Sequence, residues 1–315
     1  MTVHSPGGPE ALVLEEFDLP KLSPGWVQVR TVAIPVNRAD LAQRAGLFEK
    51  QKYPCTPGFE FCGEIIEVAE DVSSRFLNQK VYYWGDHRNS NLQQGAYASN
   101  IQLPLEELIM LPFEVDLLNF AASSSAGILA LESLKSFRKV EQKILVTGAS
   151  GGLGSNLLTF GTHMGHSMYA ATTSEHKIDY CKSIGAKDAV NIRLGSINDQ
   201  SPEIEFDGVI DLLGYRTFEE GLKLVRPGGM LISVGTVTGA ETQINLHDLQ
   251  RGVRVRGLSR PSKQRIEESV TNLIRFQSKR EFSNLVRSNY AMEDAPLVHE
   301  IIEKRQNKGR SVLLP

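Results

Sequence analysis

Two of the three cysteines in this 315-residue chain frame a glutamate, in Cys55-Thr-Pro-Gly-Phe-Glu-Phe-Cys62-Gly-Glu64. Thiols beside carboxylates could hold a metal, close a disulfide loop, or belong to a turn running into a strand. A tetrahedral zinc needs four ligands drawn from Cys, His, Asp and Glu, and two thiols do not supply a site alone. Three cysteines scattered as Cys55, Cys62 and Cys181 are also too few for a disulfide framework in a chain this long. The residues therefore read as a turn thiol at Cys55, a small strand residue at Cys62, and no metal.

A second stretch carries different chemistry. Val146-Thr-Gly-Ala-Ser-Gly-Gly-Leu-Gly-Ser-Asn156 follows a short apolar run and opens a helix whose Leu153, Leu157, Phe160 and Met164 form one stripe. Glycines let backbone approach a pyrophosphate, and a helix N-terminus offers it N–H groups and a positive dipole end. Spaced Ala149-x-Gly151-x-x-Gly154, the turn matches the dinucleotide fingerprint with alanine at the first glycine. Ala149, Ser150, Gly151, Gly152, Leu153 and Gly154 are thus candidate cofactor-binding residues. The next apolar run ends Ala171-Thr-Thr-Ser174 with no carboxylate at its tip, where NAD-selective folds place one for the ribose 2′-hydroxyl. Hydroxyls of Thr172, Thr173 and Ser174 with the ammonium of Lys177 suit a 2′-phosphate, so NADPH is the expected cofactor. The alternative is that these residues only cap a helix, with Glu175 close by. Gly235, ending the run Met230–Gly235, is a further candidate on the cofactor side.

These residues need elements to hold them. Up to about residue 115 the chain reads as short strands between Pro and Gly turns, as in Trp26–Val32, Gly63–Val68 and Lys80–Trp84. An apolar segment dense in small residues, Leu117 to Leu134, reads as one or two packed helices. Beyond Lys143, near-continuous apolar runs at crossover-length spacing indicate a parallel sheet covered on both faces. Val253 to Arg256 alternates charge with valine, as an outer strand does; the tail adds a helix, Arg265 to Phe276, and a strand from Ser311. Charges nearly balance, 34 Lys and Arg against 37 Asp and Glu, which gives no footprint for nucleic acid or an anionic membrane. No run reads as a membrane span or leader, so a cytoplasmic protein is expected.

Several ordered motifs together resemble the zinc-independent quinone oxidoreductases of the medium-chain dehydrogenase/reductase superfamily: Gly7-Gly-Pro-Glu10, Val36-Asn-Arg-Ala-Asp-Leu-Ala-Gln-Arg-Ala-Gly46, Pro57-Gly-Phe-Glu-Phe-Cys-Gly-Glu64, Gly95-Ala-Tyr-Ala98, Gly148 to Gly154, and Gly309-Arg-Ser-Val-Leu-Leu-Pro315. The resemblance implies an α/β fold with a GroES-like β-rich domain from residues 1–116 and 259–315, and a Rossmann doubly wound parallel-sheet domain from 117–258. Zinc members carry a cysteine and a histidine where Asn37 and Phe59 stand, and neither replacement suits a catalytic zinc. Without a metal to hold an alkoxide, hydride delivery to an activated acceptor is favoured over alcohol oxidation.

The resemblance also places Asn37 and Asp40 beside the nicotinamide, Asn37 as the catalytic candidate and Asp40 as structural, although both residue types favour helix N-caps. Phe48 and Tyr53 flank the expected substrate cleft; quinone-reducing relatives commonly carry a tyrosine where Phe48 stands, so an apolar wall is expected there. Ser123 to Ser125, with Ser125 foremost, and Arg310 are candidates to reach the cofactor, as Arg260 is more weakly. His163 and His166 read as solvent-facing and His87 as a weak candidate in a polar loop. The expected activity is NADPH-dependent reduction of a quinone or an α,β-unsaturated carbonyl compound. The alternative is an NADPH-binding sensor or structural protein with little turnover. The open edge at Val253 to Arg256 implies a homodimer, unless Arg254 and Arg256 are edge-protecting charges.

Overall fold

The computed structural model of this chain describes residues 1–85, 94–200, 204–278 and 288–315. Two compact units are present, Met1–Ser125 with Ile274–Pro315, and Ala126–Leu273. His87 lies outside the described residues.

The first unit is mainly antiparallel. β1 (Thr2–Val3) and β2 (Leu12–Val13) make a two-stranded ribbon. β3 (Trp26–Pro35) buries Val27, Val29 and Thr31 while Gln28 and Arg30 face outward, the period of two that a half-buried strand requires. α1 (Arg38–Arg44) follows at once. β4 (Glu60–Val68) pairs with β3 on one side and β5 (Lys80–Trp84) on the other. Gly58 leads into β4 with φ +105°, and a Cβ there would strike Tyr97 at 2.6 Å. β6 (Asn100–Pro104) joins β3, and β7 (Ile109–Met110) joins β5.

Cys62 sits fully buried in β4 as its neighbours suggested, but Cys55 is not in a turn. Its backbone bridges Val3 through two hydrogen bonds of 2.8 and 3.0 Å, which buries the thiol and pushes its pKa up to about 11.

α2 (Leu117–Leu134) is one path with a break: Ser124 is non-helical, at φ −5° and ψ −109°. By length and composition it could cross a membrane, with 78% of it buried inside the protein. Asn119, the three consecutive serines and Glu132 interrupt it, so it is not a continuous apolar run.

The second unit holds β8 (Lys143–Thr147), α3 (Gly152–His163), β9 (Ser167–Thr172), α4 (Ile178–Ser183), β10 (Ala186–Asn191), α5 (Ile197–Gln200), β11 (Phe206–Asp211), α6 (Arg216–Leu224), β12 (Val225–Ser233), α7 (Leu246–Gln250) and β13 (Arg254–Gly257). All six strands pair in parallel in the order β10-β9-β8-β11-β12-β13. Counted within the unit, this is 3-2-1-4-5-6, the doubly wound order that opens a crevice between its first and fourth strands. β13 forms one edge and all four of its residues are exposed. His166 is not solvent-facing: after α3 the chain turns at Gly165 (φ +84°) and buries the ring against Phe137, and burial lowers its pKa.

α8 (Lys263–Gln277) leads back towards the first unit, where β14 (Ser288–Ala291), α9 (Ala295–Glu303) and β15 (Ser311–Leu314) follow. β15 pairs antiparallel with the end of β3, Val312 opposite Pro35. The units divide later than residues 116/117 and 258/259 because both divisions fall inside helices, just after the break in α2 and within α8.

Candidate functional site

In the first unit the chain leaves β3 at Pro35 and enters α1 through Asn37. The Asn37 backbone is extended (φ −113°, ψ 153°) and its N–H donates to Asp40 Oδ2 at 2.7 Å, a reach-back bond from the helix's first turn. The Asn37 side chain is spent elsewhere. Its Nδ2 donates to Pro35 O at 3.2 Å and Glu60 Oε2 at 2.9 Å, and its Oδ1 accepts from Arg310 Nη2 at 2.9 Å. The residue thus starts the helix with its backbone and faces a charged pair with its amide.

Glu60, fully buried at the head of β4, is that pair's acid. Its Oε1 accepts from the Ser125 N–H at 2.7 Å and the Tyr82 hydroxyl at 2.8 Å. Its Oε2 accepts from Ser125 Oγ at 2.6 Å and Arg310 Nη2 at 2.7 Å. Burial alone would raise the Glu60 carboxyl, but Arg310 and the Ser124, Ser125 and Asn37 donors hold it below the usual carboxylate range. The break at Ser124 starts a new helical run, whose first amides have no partner within the helix; Ser125 gives its own to Glu60. Arg310 is 7% exposed, and its Nε has no hydrogen-bond partner.

Behind Asn37 lies a second buried chain. Asp40 Oδ1 accepts from the Phe59 N–H at 3.2 Å, and Oδ2 also accepts from the Tyr97 hydroxyl at 3.2 Å. Tyr97 Oη lies 2.9 Å from His299 Nε2, His299 Nδ1 lies 3.3 Å from Arg44 Nη1, and Arg44 pairs with Glu303. Burial pushes the Asp40 carboxyl up to about 7, against the Asn37 N–H and Arg310, which pull it down. Burial and the neighbouring Arg44 push His299 down to about 3, so it is neutral.

Phe48 stands edge-on to Phe59, centroids 6.0 Å apart, while Tyr53 turns its hydroxyl to Gln43 O at 2.5 Å. An apolar wall therefore borders Glu60. Zinc does not fit this arrangement. Asn37 and Phe59 offer only an amide and a phenyl ring, Glu60 is already paired with a guanidinium, and among the described residues no group of three or more His, Cys, Asp or Glu could hold a metal.

In the second unit the glycine turn lies at the C-terminal end of β8, where ligands of such sheets collect. Gly148 takes the left-handed conformation (φ +61°), which explains how alanine can stand next to it at the fingerprint's first position. Gly151 caps α3 with no side-chain hydrogen bond, and a Cβ on it would meet only Gly148 O, at 3.5 Å. A Cβ on Gly154 would strike Gly148 O at 2.5 Å, so that glycine lets α3 pack against the turn that follows β8. Gly152 and Leu153 supply the helix's opening amides. Ser150 Oγ lies 3.2 Å from Thr172 Oγ1, with both residues buried, and this joins the turn to the tip of β9. Thr173 and Ser174 remain half-buried beyond that tip, Glu175 is exposed and Lys177 is buried. A Cβ on Gly235 would strike Leu212 O at 2.3 Å, another close backbone approach.

The sequence expectations thus fall into two sets. Asn37, Ser125 and Arg310 meet around Glu60 in one unit, with Phe48 adjoining through Phe59; Ala149 to Gly154 and Thr172 meet in the other. Ser125 and Arg310, expected to face a cofactor, make their described bonds to Glu60, to Asn37 and to each other. Tyr82, Tyr97, Arg44 and His299 went unnoticed. His299 left a signal, since it shares one stripe of α9 with Ala295, Val298 and Ile302.

Comparison with known proteins agrees with both halves. Residues 23–112 match the alcohol dehydrogenase GroES-like domain, and residues 152–275 match the zinc-binding dehydrogenase family. A quinone oxidoreductase of Salmonella typhimurium is 28% identical over 99% of this chain and 98% of its own. A 2-haloacrylate reductase of a Burkholderia species is 26% identical over 99% and 98%. The crystal structure of Escherichia coli quinone oxidoreductase complexed with NADPH superposes with a TM-score of 0.83 at 26% identity, covering 100% of this chain and 99% of that one. With a GroES-like unit, a doubly wound nucleotide-fold unit and relatives of this kind along its whole length, the chain belongs to the medium-chain dehydrogenase/reductase superfamily and is of its quinone oxidoreductase type.

Proposed function

We propose that this chain is an NADPH-dependent oxidoreductase that needs no zinc and reduces a quinone or the activated C=C bond of an α,β-unsaturated carbonyl compound. The observation that carries the reading is the glycine turn at the head of α3, open at Gly151 and uncapped, at the switch point of the parallel sheet. Relatives named quinone oxidoreductase and 2-haloacrylate reductase support the acceptor class, and the NADPH in the Escherichia coli enzyme's structure supports the cofactor.

When bound, NADPH supplies the hydride. Ala149, Ser150, Gly151, Gly152, Leu153 and Gly154 hold its diphosphate, with backbone N–H groups as donors. Thr172, Thr173, Ser174 and Lys177 form the strand tip that receives the 2′-phosphate, and Gly235 permits a second close backbone approach. In the first unit Asn37 orients the reacting groups, Ser125 and Arg310 keep its amide and Glu60 in place, and Phe48 and Tyr53 flank a flat apolar acceptor. The exposed edge of β13 supports a homodimer, and three buried free thiols suit the reducing cytoplasm.

Steady-state NADPH oxidation across quinones, enones and halogenated acrylates tests the reading. Turnover with at least one class is expected, faster than with NADH. Tight NADPH binding with no turnover on any acceptor would replace it with a sensor role.

A further inference from the structure

The hydrogen bonds behind Asn37 run in one direction only. A guanidinium has no acceptor, so Arg44 Nη1 donates and His299 Nδ1 must accept. Neutral His299 then carries its proton on Nε2 and donates it to Tyr97 Oη. The Tyr97 hydroxyl, its oxygen occupied, donates to Asp40 Oδ2. Asp40 therefore receives three donors: the Asn37 N–H, the Phe59 N–H and the Tyr97 O–H. A protonated Asp40 could pass its hydrogen only to Tyr97, which would have to reverse, and reversal would set a His299 N–H against the Arg44 N–H. Arg44 thus orients the chain so that Tyr97 donates to Asp40 and favours its carboxylate form.

What Asp40 holds is specific. Its two oxygens tie together the backbones of Asn37 and Phe59, which come from α1 and the entry to β4 and sit at the two positions flanking Glu60 and Arg310. We propose that Asp40 is a positioning residue of the reductase site, which as a carboxylate fixes the Asn37 amide against Glu60 and Arg310, and that Tyr97, His299 and Arg44 hold Asp40 in that state from behind. The proposal rests on the oxidoreductase reading. The charged and titratable groups facing Asp40 are Tyr97 directly, Glu60 from β4 and Arg310 before β15 at longer range, with His299 and Arg44 beyond Tyr97.

The test compares wild type, Tyr97→Phe, His299→Gln and His299→Leu. Two readouts are followed with pH: kcat on the best acceptor, and the 13C carboxyl shift of aspartate-labelled protein, with Asp40 assigned by its disappearance in Asp40→Asn. Tyr97→Phe deletes one donor to the charged form, which raises the Asp40 pKa. The acid limb of kcat and the carboxyl midpoint should both move up by about one pH unit, with KM for NADPH unchanged. Gln can accept from Arg44 and donate to Tyr97, so His299→Gln should keep the wild-type profile, whereas His299→Leu should move it in the same direction as Tyr97→Phe. An unmoved Asp40 midpoint in Tyr97→Phe overturns the proposal, as does a pH-independent loss of kcat that follows the melting temperature. If wild type turns over no acceptor, the oxidoreductase reading fails, and the carboxyl titration still decides whether the donor chain governs Asp40.

Discussion

A methyl group added at Gly151 and one added at Gly154 would meet opposite surroundings, and the contrast separates ligand from scaffold. At Gly151 it reaches only Gly148 O at 3.5 Å, while at Gly154 it collides with backbone at 2.5 Å. Gly151→Ala should leave thermal stability within about 0.5 kcal/mol and still weaken NADPH about tenfold, or about 1.4 kcal/mol, by isothermal titration. Gly154→Ala should cost about 1–3 kcal/mol in urea unfolding before any cofactor is added. Glu60 and Arg310 give a pH test. The folded Glu60 pKa lies below its unfolded value, so its stabilising contribution is present above the ordinary carboxylate range and is lost as pH falls through the folded pKa. In Arg310→Met burial dominates instead, Glu60 titrates above its unfolded value, and its contribution is lost as pH rises. The variant should therefore fall behind wild type by about 3–5 kcal/mol at pH 8, and the gap should shrink towards pH 4. A gap independent of pH would mean that Arg310 contributes packing rather than charge.

At the scale of elements, β13 makes the plainest forecast. It pairs with β12 alone, its four residues are exposed and Val255 is 42% exposed, so an edge is available for a second copy of the chain. Light scattering at about 10 μM should give a dimer, and Val255→Lys, an edge-blocking charge, should give a monomer; a monomeric wild type refutes the pairing. The elements themselves were largely legible in the sequence, because a parallel sheet announces itself in short apolar runs and a nucleotide turn is local, strand, glycines and helix in a dozen residues. The first unit's site was legible only in part. Asn37 and Asp40 share one turn and could be found together, but Glu60 and Arg310 are brought together by β15 pairing with β3 across most of the chain, and no local pattern marks such a pair. His166 was misplaced for a related reason: the left-handed Gly165 turns the chain inward after α3, and helix periodicity says nothing about a residue beyond the helix end.

For the molecule as a whole, Asn37, Phe59 and the Glu60–Arg310 pair predict its metal content. Elemental analysis of chelator-treated protein should find well under one zinc per chain with reductase activity unchanged, and stoichiometric zinc whose removal abolishes turnover would contradict this. The separation of Glu60 from Arg310 has a consequence for how the chain is made. The partners are 250 residues apart, and at about 5–20 residues per second a ribosome needs roughly 10 to 50 s to synthesise the arginine after the glutamate. Through that interval a nascent first unit has a carboxylate destined for burial and no cation to neutralise it. The second unit is continuous in sequence and emerges whole before Arg310 does. Folding during translation should therefore finish the nucleotide fold first, while the GroES-like half waits for its last strand. Ribosome-bound chains stalled before Arg310 should already protect the parallel sheet from protease and leave β3 and β4 open to cleavage.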